Sequence, residues 1–251
     1  APGAQNLASG GGYLAWSAPA PDGGFQLTVR APDGTVSVPD VATSQTPLDP
    51  AIGSGGFAAQ NRKLLVLYAR GGDIHQYDLR ATTESKVPGA SSAAYKEASP
   101  GISYGRVTFV RTGGANNGIF FRDKGRARKV SSSRPSELAF NGSRVAYPHG
   151  DKVIVRRVSG QGRPSTIRAE GKPSGLVLTR YSVTFLTEGG RAWQSPRFGG
   201  SSRVDRVDTA REASEQLPAS TNSIANGRTF VSYYADDEGV KRLSTQNIFR
   251  P

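Results

Sequence analysis

A short pattern recurs six times along this chain: an aliphatic residue, any residue, then an aromatic. It stands at Leu14-Ala15-Trp16, Val66-Leu67-Tyr68, Val107-Thr108-Phe109, Val145-Ala146-Tyr147, Val183-Thr184-Phe185 and Val231-Ser232-Tyr233. The aromatics are spaced by 52, 41, 38, 38 and 48 residues. A period near 40 constrains the fold strongly, because each repeat must be one supersecondary unit stacked on its neighbours. The surroundings repeat too. A short apolar segment and a turn precede each triplet: Asn6-Leu7-Ala8 with Gly10-Gly11-Gly12, Gly56-Phe57-Ala58 with Asn61-Arg62, Ile102-Ser103-Tyr104 with Gly105-Arg106, Leu138-Ala139-Phe140 with Asn141-Gly142, Leu176-Val177-Leu178 with Thr179-Arg180, and Ser223-Ile224-Ala225 with Asn226-Gly227. Asn-Gly is a strong hairpin signal, since both residues accept positive φ. After each triplet come a glycine-marked turn and a third strand, at 25–30, 74–79, 119–122, 153–158, 192–195 and 240–243. A fourth strand follows at 35–38, 85–87, 127–130, 165–168 and 203–207, and in the sixth unit only Asn247-Ile248-Phe249 remains for it.

Gly (31) and Pro (16) make up about a fifth of the 251 residues, and both are poor helix formers. Four antiparallel strands per unit, repeated six times, read as an all-β fold: a six-bladed β-propeller of four-stranded antiparallel blades. The whole chain, 1–251, is expected to be a single domain, with blades near 5–38, 55–87, 101–130, 137–168, 175–207 and 222–250.

The run Gly105-Arg106-Val107-Thr108-Phe109-Val110, followed by Gly118-Ile119-Phe120-Phe121-Arg122, resembles the repeat of the TolB-like (WD40-like Pro-Asp) six-bladed propellers. That resemblance implies a six-bladed fold and a non-enzymatic binding role at the cell envelope. The family's Ser-Pro-Asp-Gly turn is absent from all six units, so no functional residue is carried over from it.

The chain has no cysteine and two histidines, His75 and His149, which excludes disulfides, thiolate metal sites and cysteine nucleophiles. No cofactor or metal is expected. The longest apolar run, Leu64 to Ala69, is of strand length, so membrane insertion is not expected. With no methionine anywhere, either a leader has been removed or the chain has been trimmed; the Ala-Pro-Gly start, polar composition and lack of cysteine suggest a secreted, periplasmic or cell-envelope bacterial protein, expected to act as a monomer.

Long segments at 39–56, 88–101 and 208–222 fall between units, on the same face as the second-to-third-strand hairpins. The last of these has the composition for one or two helical turns. This loop-rich face is the expected binding face for a protein or glycan partner, through Arg70, Arg111, His149, Glu188, Arg191 and Asp236. An alternative is a lyase or hydrolase in which His149 meets Asp236 and Asp237 across the pore. Gly101-Ile102-Ser103-Tyr104-Gly105 matches a nucleophile elbow, but Ser103 lies between two strands instead of before a helix, and the repeat accounts for it. His75 shares a strand face with Asp73 and reads as a buried or surface histidine. A third reading follows from charge. Residues 101–211 carry 21 Lys/Arg against 7 Asp/Glu, whereas the segments on either side are nearly neutral. The outer strands of units three to five would then form a lateral surface for a polyanion (an acidic glycan or nucleic acid), with Arg122, Arg126, Arg128, Lys129, Arg156, Arg157 and Arg203 as contacts.

Overall fold

The computed structural model describes residues 4–56, 63–178, 183–187, 191–195, 205–206, 220–225, 229–236 and 239–247, with side chains up to Thr187. The first sheet is β1 (Gln5–Gly10), β2 (Tyr13–Pro19), β3 (Phe25–Arg30) and β4 (Val36–Ser37). The second is β5 (Ala51–Ser54), β6 (Leu64–Arg70), β7 (Asp73–Asp78) and β8 (Thr83–Lys86). The third is β9 (Lys96–Ser103), β10 (Arg106–Thr112), β11 (Gly118–Asp123) and β12 (Arg126–Ser131). The fourth is β13 (Ala139–Asn141), β14 (Arg144–His149), β15 (Lys152–Arg157) and β16 (Ser165–Arg168). Each is an antiparallel meander in chain order, and together they make four described blades in a propeller arrangement. Beyond them, β17 (Ser174–Leu178), β18 (Val183–Thr187), β19 (Arg191–Ser195) and β20 (Asp205–Arg206) form another four-stranded sheet. A three-stranded sheet follows: β21 (Ser220–Ala225), β22 (Thr229–Asp236) and β23 (Gly239–Asn247). No helix occurs among the described residues.

The triplet explains the stacking. It always lies on the second strand, where alternation sends its first and third residues to one face and its middle residue to the other. Val66 and Tyr68 pack with Ala15, Leu27 and Val29 of the preceding blade. Val107 and Phe109 pack with Leu65, Leu67 and Ile74 of the second blade. Val145 and Tyr147 meet Ile119 and Phe121 of the third, and Val183 and Phe185 meet Val153 and Ile167 of the fourth. From the second to the fifth sheet the aromatic therefore fills the space toward the blade before it. The middle residue, often small (Ala15, Thr108, Ala146 and Thr184), faces the blade after it. The second strands of the first five sheets are thus buried on both sides, as in Val183–Thr187, while outer strands such as β8 are mostly exposed.

The first strands, β1, β5, β9, β13, β17 and β21, lie against one another in that order. They approach closely. A Cβ on Gly53 would stand 2.6 Å from the Ile102 carbonyl oxygen, and one on Gly101 would stand 2.7 Å from Phe140 Cβ. Only glycine permits backbone spacing this tight.

Two boundaries differ from the sequence reading. The first strand of the second blade is Ala51–Ser54, upstream of the expected Gly56-Phe57-Ala58. Ala51 pairs with Leu67, and the Gly55 N–H bonds to the Lys63 carbonyl at 2.7 Å, so the described pairing of this strand lies before Phe57. Residues 57–62 lie outside the described ones. The third blade begins at Lys96, ahead of the expected 101, because the Glu97 N–H bonds to the Gly72 carbonyl (2.8 Å) and draws the connection into the strand. The connections expected at 39–56 and 88–101 are shorter accordingly. The proposed helical turns within 208–217 and the fourth strand at Asn247-Ile248-Phe249 lie outside the described residues, apart from Asn247, which ends β23.

Candidate functional site

In a meander the hairpins alternate between ends. Second-to-third-strand hairpins and blade connections share one face, and the remaining hairpins share the other. The register locates equivalent residues on the innermost strands. Ala8, Ala51, Gly101, Ala139 and Val177 each pair with the middle residue of a triplet: Ala15, Leu67, Thr108, Ala146 and Thr184. Two residues upstream of each stands a member of one set: Asn6, Asp49, Ser99, Glu137 and Gly175. In the last sheet, Asn222 opposite Ser232 puts Ser220 at the same position. These positions form a belt around the axis, toward the loop-rich face.

Hydrogen bonds run along this belt from blade to blade. Asn6 Nδ2 donates to the Leu48 carbonyl (2.9 Å), beside Asp49. Ser99 is hydrogen-bonded to the Asp49 side chain, and its Oγ donates to the Ser136 carbonyl (2.9 Å). Glu137 Oε2 accepts the Gly175 N–H at 3.1 Å, and the Leu176 amide lies close to the same carboxyl. Asn6, Ser99 and Gly175 have positive φ (53°, 49° and 57°), and the ladder shifts register at each of these strands. Such bulges release a residue from its ladder partner and re-aim it. For Ser99 the left-handed conformation is strained, a kind of outlier that concentrates at functional sites.

Two belt members are acids. Asp49 is half-buried. Burial pushes its carboxyl up to about 6, against the opposing bond from Ser99. Burial raises Glu137 to about 7; the Gly175 and Leu176 amides oppose the rise and the charge of Asp49 adds to it. Glu137 Oε1 is buried with no hydrogen-bond partner. Ser136, next to Glu137, lines a cavity of about 410 Å³ that is bounded further by Pro148, Gly150, Asp151, Gly171 and Lys172. Among the described residues no cluster of three or more His, Asp or Glu is arranged to hold a metal.

The residues expected on this face have other surroundings. Arg70 Nη1 stands 2.8 Å from Glu84 Oε1, its Nη2 donates to Oε2 (3.0 Å), and the guanidinium lies over Tyr68. Arg111 donates to the fully buried Glu97 (2.9 Å) and lies over the Tyr95, Phe109 and Phe120 rings. Both arginines are held within the fold. His149 is exposed on the β14–β15 hairpin, between the cavity-lining Pro148 and Gly150. Glu188 and Asp237 lie outside the described residues, and of Arg191 and Asp236 only the strand backbone is described. His75 is buried, stacks on Tyr68 and contacts Glu84 (3.2 Å); burial and the nearby Arg70 hold it below its ordinary value. The Tyr68 hydroxyl also donates to Glu84, which makes this a structural network across β6, β7 and β8. Ser103 ends β9 at a tight turn through Tyr104 and Gly105 (φ 51° and 75°), with a strand after it and no helix.

The basic residues stand on the outer strands. Arg126, Arg128, Lys129 and Arg157 are exposed, and Arg128 lies 5.1 Å over the Phe121 ring. Arg122 and Arg156 are half-buried, and Arg156 Nη1 donates to the Val130 carbonyl (3.3 Å). Arg203 lies outside the described residues.

No family model matches the chain, and no curated protein is similar to it. Solved structures do match. Regucalcin from Agrobacterium tumefaciens, described as a calcium-binding protein, superposes with TM-score 0.59 at 11% identity, over 98% of this chain and 91% of its own. A nidogen/laminin complex gives TM-score 0.57 at 10% identity, over 77% and 75%. TolB from Acinetobacter baumannii gives 0.52 at 16% identity, over 80% and 55%. The fold is a β-propeller. At these identities the likeness concerns the fold alone, and the belt acids of this propeller have to be argued from their own chemistry.

Proposed function

We propose that this chain is a six-bladed propeller that binds a ligand, without transforming it, at the axial end of its loop-rich face. The ring of six is supported by β21, which lies against both β17 and β1 and so returns the last sheet to the first. The sixth triplet also falls on the central strand of its sheet, as the other five fall on second strands. One observation carries the binding reading: Glu137, whose carboxyl is raised by burial, adjoins Ser136 in the wall of a cavity of about 410 Å³, and its equivalent in the second blade, Asp49, is linked to Ser136 through Ser99. That volume suits a side chain or small molecule. An acid held out of water with an unused acceptor oxygen is unfavourable alone and favours a ligand that brings N–H donors. The ligand is read as a peptide segment with a cationic side chain, whose charge stabilises the ionised carboxylates.

Calorimetric titration with Gly-Arg-Gly amide at pH 6.5, in buffers of different ionisation enthalpy, tests this. Saturable binding with net proton release is expected, because the cation draws both carboxyls below the working pH. The Asp49→Asn/Glu137→Gln variant should bind at least ten-fold more weakly and release no proton. Binding by that variant within two-fold of the original would remove the belt from the ligand site.

A further inference from the structure

The opposite face holds a second feature. A cleft of about 400 Å³ lies between the third and fourth blades, lined by Arg106, Arg128, Arg144 and Arg157, with Asp123 the single carboxylate among its described lining residues. Phe121, Val158, Ser143 and Ser159 are also in its wall. Arg106 and Arg144 occupy equivalent places, immediately before the first residue of their triplets. Tyr13, Leu65, Ser182 and Phe230 hold that place in the other four units, so arginine there marks only the two blades that make the cleft.

The register sharpens the contrast. In the third blade Val107 pairs with Arg122, which puts Arg106 opposite Asp123, and Arg106 Nε stands 3.5 Å from Asp123 Oδ2. In the fourth blade the equivalent partners are Arg144 and Arg157. Two like charges directly opposite across an antiparallel pair are destabilising. The third blade shows that this fold accommodates an acid at the Arg157 position. Arg128, on the other wall, is set over the Phe121 ring, which fixes the plane of its guanidinium.

We propose that this cleft binds a phosphate monoester on a small, sugar-sized ligand, with Arg144, Arg157 and Arg128 as its anion contacts. Among the described lining residues four guanidiniums stand with one carboxylate, a wall better matched to a dianion than to a single carboxylate. Guanidinium forks present paired N–H donors to phosphate oxygens, which a scattered basic surface does not do. The volume fits a compact ligand and not a duplex. The site is separate from the axial one, on the other face and nearer the rim, and stands or falls independently of it.

The test uses glucose 6-phosphate, followed by calorimetry, with glucose as the uncharged control. Saturable binding of the phosphate and none of glucose is expected. Arg144→Gln and Arg157→Gln should each weaken it at least ten-fold. Arg126→Gln/Lys129→Gln, which changes exposed charges on β12 outside the cleft, should leave it within two-fold. Arg157→Asp is the decisive variant, because it rebuilds the cross-strand pairing of the third blade. It should abolish binding while raising the melting temperature, so loss of binding will not come from unfolding. Binding that falls equally in the Arg126→Gln/Lys129→Gln variant would overturn the proposal in favour of a diffuse basic surface. So would retention of a heparin octasaccharide or an oligothymidine without any binding of glucose 6-phosphate.

Discussion

Phe109→Ala is expected to destabilise the propeller by about 3–5 kcal/mol, the range for deleting a large buried aromatic. Phe109 is fully buried, stacks on Phe120 with ring centroids 5.7 Å apart, and fills the space between the second and third blades with Leu65, Leu67 and Ile74. Its ring also lies under Arg111, whose partner Glu97 has no exposed side-chain surface. The substitution opens a cavity next to a buried ion pair, so the neighbours cannot collapse freely into it. For a chain of this size the loss corresponds to a fall in melting temperature of roughly 6–20 °C. Val38→Ser, at an exposed site, should stay within about 0.5 kcal/mol. Thermal unfolding of the two variants checks the claim that the repeated aromatic is what joins blade to blade. Similar melting temperatures would contradict it.

Replacing the two belt acids should do the reverse above neutral pH. Asp49 is raised from 3.8 to about 6 and Glu137 from 4.5 to about 7, both chiefly by burial. The folded protein therefore keeps protons that the unfolded chain has given up. The stabilisation is fully present below about pH 4 and is lost as pH rises through 6 and 7. At pH 8 both carboxylates are ionised in a desolvated belt. Asp49→Asn/Glu137→Gln removes both charges, keeps the acceptor for the Gly175 N–H, and should be the more stable protein there. The gain is on the order of 2–4 kcal/mol for the pair, less than the full linkage figure because solvent reaches both side chains in part. Asp78 and Glu84, whose partners hold them low, act oppositely in acid and cancel between the two proteins. Denaturant unfolding from pH 4 to pH 8 reads this as two curves that diverge upward with pH. Parallel curves would show that neither acid is desolvated.

The blades were legible because the triplet is a property of single strands. Aliphatic and aromatic residues two apart share a face, and stacking requires that volume at every interface, so the signal survives in the sequence. The second blade's first strand was misplaced because Gly56-Phe57-Ala58 offers the same apolar segment, while pairing of Ala51 with Leu67 decides the register. The belt was missed for a different reason. Its members are Asn, Asp, Ser, Glu, Gly and Ser, alike in register and not in residue type. Counting two places upstream of the residue opposite each triplet would have found them, given the pairing. Arg70 and Arg111 misled because their carboxylates, Glu84 and Glu97, lie 14 residues away and meet them only once the strands pair. The basic excess of 101–211 was plain in the sequence. Its concentration in one cleft was not, since Arg106, Arg128, Arg144 and Arg157 come from four strands of two blades.

The most direct measurement is the carboxyl carbon NMR titration of Asp49 and Glu137 in the whole chain, with and without Gly-Arg-Gly amide. Midpoints near 6 and 7 that move down when the peptide is added are the expected result, because they place desolvated acids at the point where ligand charge arrives. Midpoints near 4 that ignore the peptide would contradict both the buried belt and the binding site built on it.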